Sequence, residues 1–213
     1  MLPLPSLLAF LAAAVVLVIM PGPTVLFVVG RSLALGRRGG LLSVLGNAIG
    51  IVPIIVAVSF GVGAIVTESA VVFMILKFAG AAYLVFLGIQ AIRHRTQTAA
   101  HVQDRSGAPK STLRMLGEGF LVGVSNPKTI AFFVAVLPQF VAPHAGWVPG
   151  QMLLLGGIFI VLALLSDGVW ALAAGSARDW FARSPTRVER LGATGGVMMI
   201  GLGGVLAFTG GQK

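Results

Sequence analysis

The chain has no cysteine, six acidic residues, three histidines and one tyrosine in 213 positions. Without cysteine there can be no disulfide, no thiolate metal site and no cysteine nucleophile. Charged residues make up 10% of the sequence, against about 25% in an ordinary soluble domain. Too few polar side chains remain to cover a water-facing globule. A soluble catalytic domain is excluded.

Hydrophobic residues make up 57% of the chain and the mean hydropathy is +0.99. Six apolar runs stand out, at 6–30, 41–66, 70–92, 115–141, 147–175 and 191–209. Each is long enough for the roughly 20 residues that a spanning helix needs. The runs are continuous rather than alternating, which predicts helices and not barrel strands. The expected fold is therefore an all-α integral membrane bundle of six transmembrane helices. A secretory signal is not expected, because Arg31, the first basic residue, follows the apolar run instead of preceding it.

The net charge of +9 would suggest a nucleic-acid partner in a soluble protein. Here its placement gives a topological reading instead. Arg31, Arg37 and Arg38 fall in the first connection. Arg93, Arg95, Arg105, Lys110 and Arg114 fall in the third, and Arg178, Arg183, Arg187 and Arg190 in the fifth. These are twelve of the fifteen basic residues, while the second and fourth connections have none. Lys and Arg accumulate in cytoplasmic loops. Odd connections then face the cytoplasm, both termini lie outside, and no nucleic acid is involved.

The basic segment 93–114 divides the chain into a first three-helix repeat, 1–92, and a second, 115–213. An odd number of spans per half forces the second half to enter the membrane inverted, a common plan for secondary transporters. Gly22-Pro23-Thr24 in the first run has a counterpart in Asn126-Pro127-Lys128 in the fourth. Small-residue spacings at Gly46/Gly50, Gly119/Gly123 and Gly192/Gly196 let helices approach closely, either within the chain or between copies in a homo-oligomer.

The chemistry concentrates in few residues. Pro21, Gly22, Pro23 and Thr24 lie inside the first run, where each proline deletes a backbone donor and clashes with the carbonyl four residues earlier. Non-helical backbone at membrane depth is tolerated where it is buried in protein or lines a wet cavity. A plain structural kink is the simpler alternative. Asn126, Pro127 and Lys128 repeat the device. Counting from Met115 puts Lys128 about 20 Å into a core about 30 Å thick, where a lysine is costly and calls for a named partner. Snorkelling is its alternative, and is the expected role of Lys77 nearer the outer surface. Asp167 is the carboxylate clearly within a span, with an interfacial position as its alternative. Asn47 lies at a comparable depth. Glu118 reads as a surface partner of Arg114, four residues earlier. All three histidines fall in connections.

These residues resemble the LysE/RhtB family of bacterial amino-acid exporters. The resemblance rests on Pro21-Gly22-Pro23, the basic turn Gly36-Arg37-Arg38-Gly39-Gly40, Gly46-Asn47, and Lys77-Phe78-Ala79-Gly80-Ala81-Ala82-Tyr83-Leu84 through Gly88. It continues through Gly119-Phe120-Leu121 and Asn126-Pro127-Lys128 to Leu137-Pro138-Gln139-Phe140, in order along essentially the whole chain. It implies efflux of amino acids such as lysine, arginine, homoserine, threonine or leucine across the bacterial inner membrane, driven by the membrane potential or a proton gradient.

An amino-acid zwitterion needs a cation for its carboxylate and acceptors for its ammonium. Lys128 and the helix starts after the breaks can supply the first, since such N-termini attract anions. Asp167, Asn47, Asn126 and carbonyls freed by Pro21 and Pro23 can supply the second. Asp167 is also the candidate proton carrier, because a carboxylate shielded from water holds its proton more tightly. No cofactor or metal is expected. Three rivals remain. An intramembrane enzyme would need a nucleophile–base or metal set that is missing. A non-catalytic scaffold leaves the buried lysine unexplained. Export of another solute or an inorganic ion is closest, though metals prefer clustered ligands not seen here.

Overall fold

A backbone surrounded by lipid must satisfy its own hydrogen bonds, so continuous apolar runs become helices. The computed structural model describes residues 2–68, 70–103, 111–177, 180 and 184–208, and every regular element among them is helical. In chain order these are α1 (Leu4–Ile19), α2 (Pro23–Glu68), α3 (Ala70–Arg93), α4 (Arg95–Gln103), α5 (Thr112–Ser125) and α6 (Pro127–Ala135). Two short 3-10 turns, Leu137–Phe140 and Pro143–Ala145, lead to α7 (Val148–Ser176) and α8 (Pro185–Phe208). Among the described residues, four helices are long and apolar enough to cross a membrane. A fifth span is added if α5 and the segment after it, bent by 44° at Asn126, are taken together. The surface is rich in exposed Leu, Val, Ile and Phe, such as Leu8, Ile49, Phe60, Val71, Leu121 and Val169. Such a surface suits acyl chains, not water.

Two features explain why this count falls short of six apolar runs. The 16 residues of α1 extend only about 24 Å at 1.5 Å per residue. The 46 residues of α2 are in turn not one rod. Gly36 adopts φ 72° and ψ −177°, a positive-φ extended conformation that is essentially restricted to glycine and would cost another residue about 1–3 kcal/mol. The chain reverses there. Gly40 sits so close to Ser32 that a Cβ on it would collide with the Ser32 hydroxyl, and Val28 and Val44 share one buried cluster. Arm 23–35 thus packs back on arm 37–68.

This one-residue turn corrects the expected position of Arg31. It lies on the arm and not in a connection, is 5% exposed, and forms an ion pair with Glu118 on α5. Glu118 also holds Arg114 at 3.1 Å, so its role exceeds the expected surface pair. Lys77 likewise differs from expectation. Its side chain is buried, with Nζ 5.2 Å from the centroid of the Phe78 ring. The basic segment after α3 contains α4. Its residues 104–110, with Arg105 and Lys110, lie outside the described residues, as do Arg178 and Arg183.

Helix α2 packs most extensively against α7 and α5, and α3 against α8. The α2–α5 seam uses Gly46, Gly50, Gly119 and Gly123. A Cβ on any of them would strike backbone of the facing helix, at Leu116, Phe120, Ser43 and Asn47 respectively. Close contact of this kind is what small residues permit between membrane helices. Gly196 meets Gly88 of α3 in the same way. Gly46, Gly50, Gly119, Gly123 and Gly196 are therefore used for close packing within the chain.

Candidate functional site

Proline chemistry builds the first break. A residue before proline is pushed out of the helical region, and Met20, before Pro21, has φ −60° and ψ 116°. The carbonyl of Leu17 would ordinarily accept from the N–H of residue 21, but Pro21 has none. Pro23 removes the donor for Ile19 in the same way. Helix α1 therefore ends with unsatisfied carbonyls in a dry environment, where each costs several kcal/mol.

Other elements supply the missing donors. Lys128 Nζ donates to the carbonyls of Leu17 and Met20, both at 3.0 Å. Ser166 Oγ on α7 donates to the carbonyl of Val18 at 3.1 Å. The Lys128 ammonium thus caps the broken end of α1, standing in for the N–H that Pro21 lacks. Gly22 makes this possible, because a Cβ there would lie 3.2 Å from Nζ and 3.3 Å from Cε.

The second break is self-contained. Asn126, before Pro127, has φ −68° and ψ 108°, and its Oδ1 accepts from the Lys128 backbone N–H at 3.0 Å, capping α6. The same side chain reaches across to the first break, where Nδ2 donates to Thr24 Oγ1 at 2.5 Å. The two proline breaks, more than a hundred residues apart in sequence, therefore meet. Two helices, α2 and α6, begin at this junction with Pro23 and Pro127 in their first positions, directing their positive ends toward it.

Asn47 and Asp167 face them. Asn47 Nδ2 donates to Asp167 Oδ2 at 3.3 Å, and both residues are at least 95% buried. Asn47 Oδ1 is a buried acceptor without a hydrogen-bond partner among the described residues. Such a group is costly unless something occupies it part of the time. Thr24, Asn47, Asn126, Lys128 and Asp167 all line one cavity of about 20 Å³, closed further by Ile51, Thr129, Phe159 and Ala163. That is room for about one water.

Each residue expected at the site is accounted for. Thr24, Asn47, Asn126, Lys128 and Asp167 converge on the cavity, while Pro21, Gly22, Pro23 and Pro127 shape the breaks beside it. Lys128 and Asp167 line the same space but form no direct ion pair, since Lys128 is engaged with carbonyls. Ser166 was not anticipated. The residue next to Asp167 gave one weak signal: a hydroxyl in an apolar run needs an acceptor.

Two broken helices meeting at a buried cluster of charged and polar side chains in an apolar bundle are an arrangement that membrane transporters use. The family model for the LysE type translocator matches residues 15–210. The chain belongs to that family of transporters. Among its relatives is a membrane protein of Vibrio cholerae, 37% identical over 201 residues, covering 94% of this chain and 95% of the other. A homoserine/homoserine lactone efflux protein of Salmonella typhi is 31% identical over 199 residues, covering 93% and 94%. Its counterpart in Salmonella typhimurium matches to the same extent. No solved structure matches this chain.

Proposed function

We propose that the chain is a proton-coupled secondary exporter of amino acids or amino-acid-like metabolites across the bacterial inner membrane. The observation that carries this reading is the meeting of both helix breaks around Lys128 and Asp167. Efflux relatives at 31% identity over nearly the whole chain support it. With the fold-back at Gly36, α1 and arm 23–35 form one broken span. Arm 37–68, α3, the α5–α6 pair, α7 and α8 complete six, arranged as inverted halves 1–92 and 115–213. The basic bias puts segment 93–114 in the cytoplasm and both termini outside.

In this mechanism the substrate carboxylate takes the Lys128 ammonium from the carbonyls of Leu17 and Met20, beside the starts of α2 and α6. The substrate ammonium goes to Asp167 and the open acceptor Asn47 Oδ1. A cavity of about 20 Å³ admits no amino acid, so this is a closed conformation that must widen at the first break. Asp167 binds either the substrate ammonium or a proton. An outward trip with substrate and an inward return with a proton therefore gives antiport.

Three experiments test the reading. Export of a panel of amino acids is measured in cells lacking their own exporters. Concentrative efflux of at least one is expected, and efflux of none overturns the function. Asp167→Asn keeps the shape but cannot titrate. Exchange should weaken in this variant, because Asn47 Oδ1 is left as the main acceptor for the substrate ammonium, and its acceleration by an inward proton gradient should be lost; an undiminished acceleration contradicts the coupling. Orientation is read with Ser106→Cys, since the chain has no native cysteine. Labelling by an impermeant reagent in intact cells would invert the topology.

A further inference from the structure

The charged cavity has a roomier neighbour. A space of about 280 Å³ lies across the first break from Lys128, between the start of α2, the end of α3, α4 and the start of α8. Its walls are Leu26, Phe27, Ala91 and Val188, and among the described residues it carries one charged side chain, Arg95, with the half-buried Thr98 beside it. Arg95 uses one donor on the Ile92 carbonyl at 2.8 Å. A guanidinium has five donors, so most are left for solvent or a ligand. Of these elements, the end of α3, α4 and the start of α8 carry basic residues, among them Arg93, Arg95, Arg187 and Arg190.

Gly22 is the partition between the two spaces. It lines the larger cavity, and a Cβ on it would touch the Lys128 ammonium at 3.2 Å. Helix α8 closes the same partition, because Gly195 packs so tightly on the Pro21 carbonyl that any side chain would collide. A solute in the larger cavity is thus one glycine backbone away from the cation proposed to receive its carboxylate.

We infer that this cavity is an antechamber that holds one solute with a neutral, largely apolar side chain and an anionic head before the first break opens. This rests on the export reading and adds a second site to it. The volume falls just below the roughly 300–1,000 Å³ usual for ligand pockets, so it suits a single small molecule. Apolar walls favour an apolar side chain. Arg95 attracts a carboxylate, and with no acidic residue among the described residues of the lining a cationic side chain is repelled.

Gly192 gives a direct test. It lines the cavity, and a Cβ there makes only ordinary contacts, 3.8 Å from Arg95 Cβ and 3.9 Å from Leu26 Cδ1. Gly192→Cys in the otherwise cysteine-free protein is labelled with N-ethylmaleimide in reconstituted vesicles. L-Leucine should slow labelling several-fold and L-lysine should not, and the protection should persist when Lys128→Met is added. Thr98→Cys provides the same readout should the first variant fail to assemble. Equal labelling with and without leucine, or equal protection by lysine, overturns the antechamber. So does labelling blocked without solute and restored by removing lipid, which would make the occupant an acyl chain. Protection by leucine in a protein that exports nothing keeps the antechamber and overturns the export reading instead.

Discussion

The two helix breaks begin from the same sequence device and are completed in different ways. At Asn126 the side chain preceding the proline caps the next helix itself, so the break is specified within three residues. At Met20–Gly22 the residues next to the prolines are apolar or lack a side chain. The freed carbonyls are capped by Lys128 from α6 and Ser166 from α7. One break is local, and the other is borrowed. A borrowed cap can be withdrawn when its donor is offered a better acceptor, so the first break is the one able to move. The second is the fixed frame that carries the lysine.

The largest effect that would break this contrast is expected from Lys128→Met. It leaves the carbonyls of Leu17 and Met20 without a donor, at about 1–3 kcal/mol for each buried group, partly offset by no longer burying an ammonium. Thermal unfolding in detergent should show a net loss on the order of 2 kcal/mol, and unchanged stability would mean that the cap is idle. The contrast sharpens in combination with Pro21→Ala, which restores the N–H that Leu17 lacks. Stability of Lys128→Met should be partly recovered, with a coupling of about 0.5–3 kcal/mol between the two sites. Simple additivity would separate the lysine from the break.

Asn126→Ala removes a helix cap worth about 0.5–2 kcal/mol and frees Thr24, so stability should fall while the first break keeps its own donors. The smallest effect is expected from Ser166→Ala, which exposes one carbonyl at about 1 kcal/mol. Export should continue in that variant, because Ser166 contacts neither Asp167 nor Lys128 through a hydrogen bond. Its loss would give Ser166 a larger role than capping.

Much of this was legible in the sequence because it follows from single residues. Proline deletes a donor wherever it stands, so both breaks could be placed, and charge in an apolar run singled out Lys128 and Asp167. What could not be read depends on who meets whom. The partners of Lys128 are backbone carbonyls on another helix, and carbonyls carry no signature in sequence. Ten residues separate the first two apolar runs, so in the sequence Arg31 reads as a loop residue. The reversal in fact takes place at Gly36 alone, which leaves Arg31 on a helix with Glu118 opposite. The small-residue spacings spoke for close helix contact, and geometry was needed to show that Gly46 and Gly50 meet Gly119 and Gly123 of the same chain.

The central claim is that Lys128 leaves its carbonyls to take the carboxylate of the solute. It is tested most directly by L-leucine counterflow in vesicles containing equal amounts of folded wild-type and Lys128→Met protein. The wild type should show saturable exchange and the variant no more than protein-free vesicles. Exchange by Lys128→Met at the wild-type rate would contradict the account.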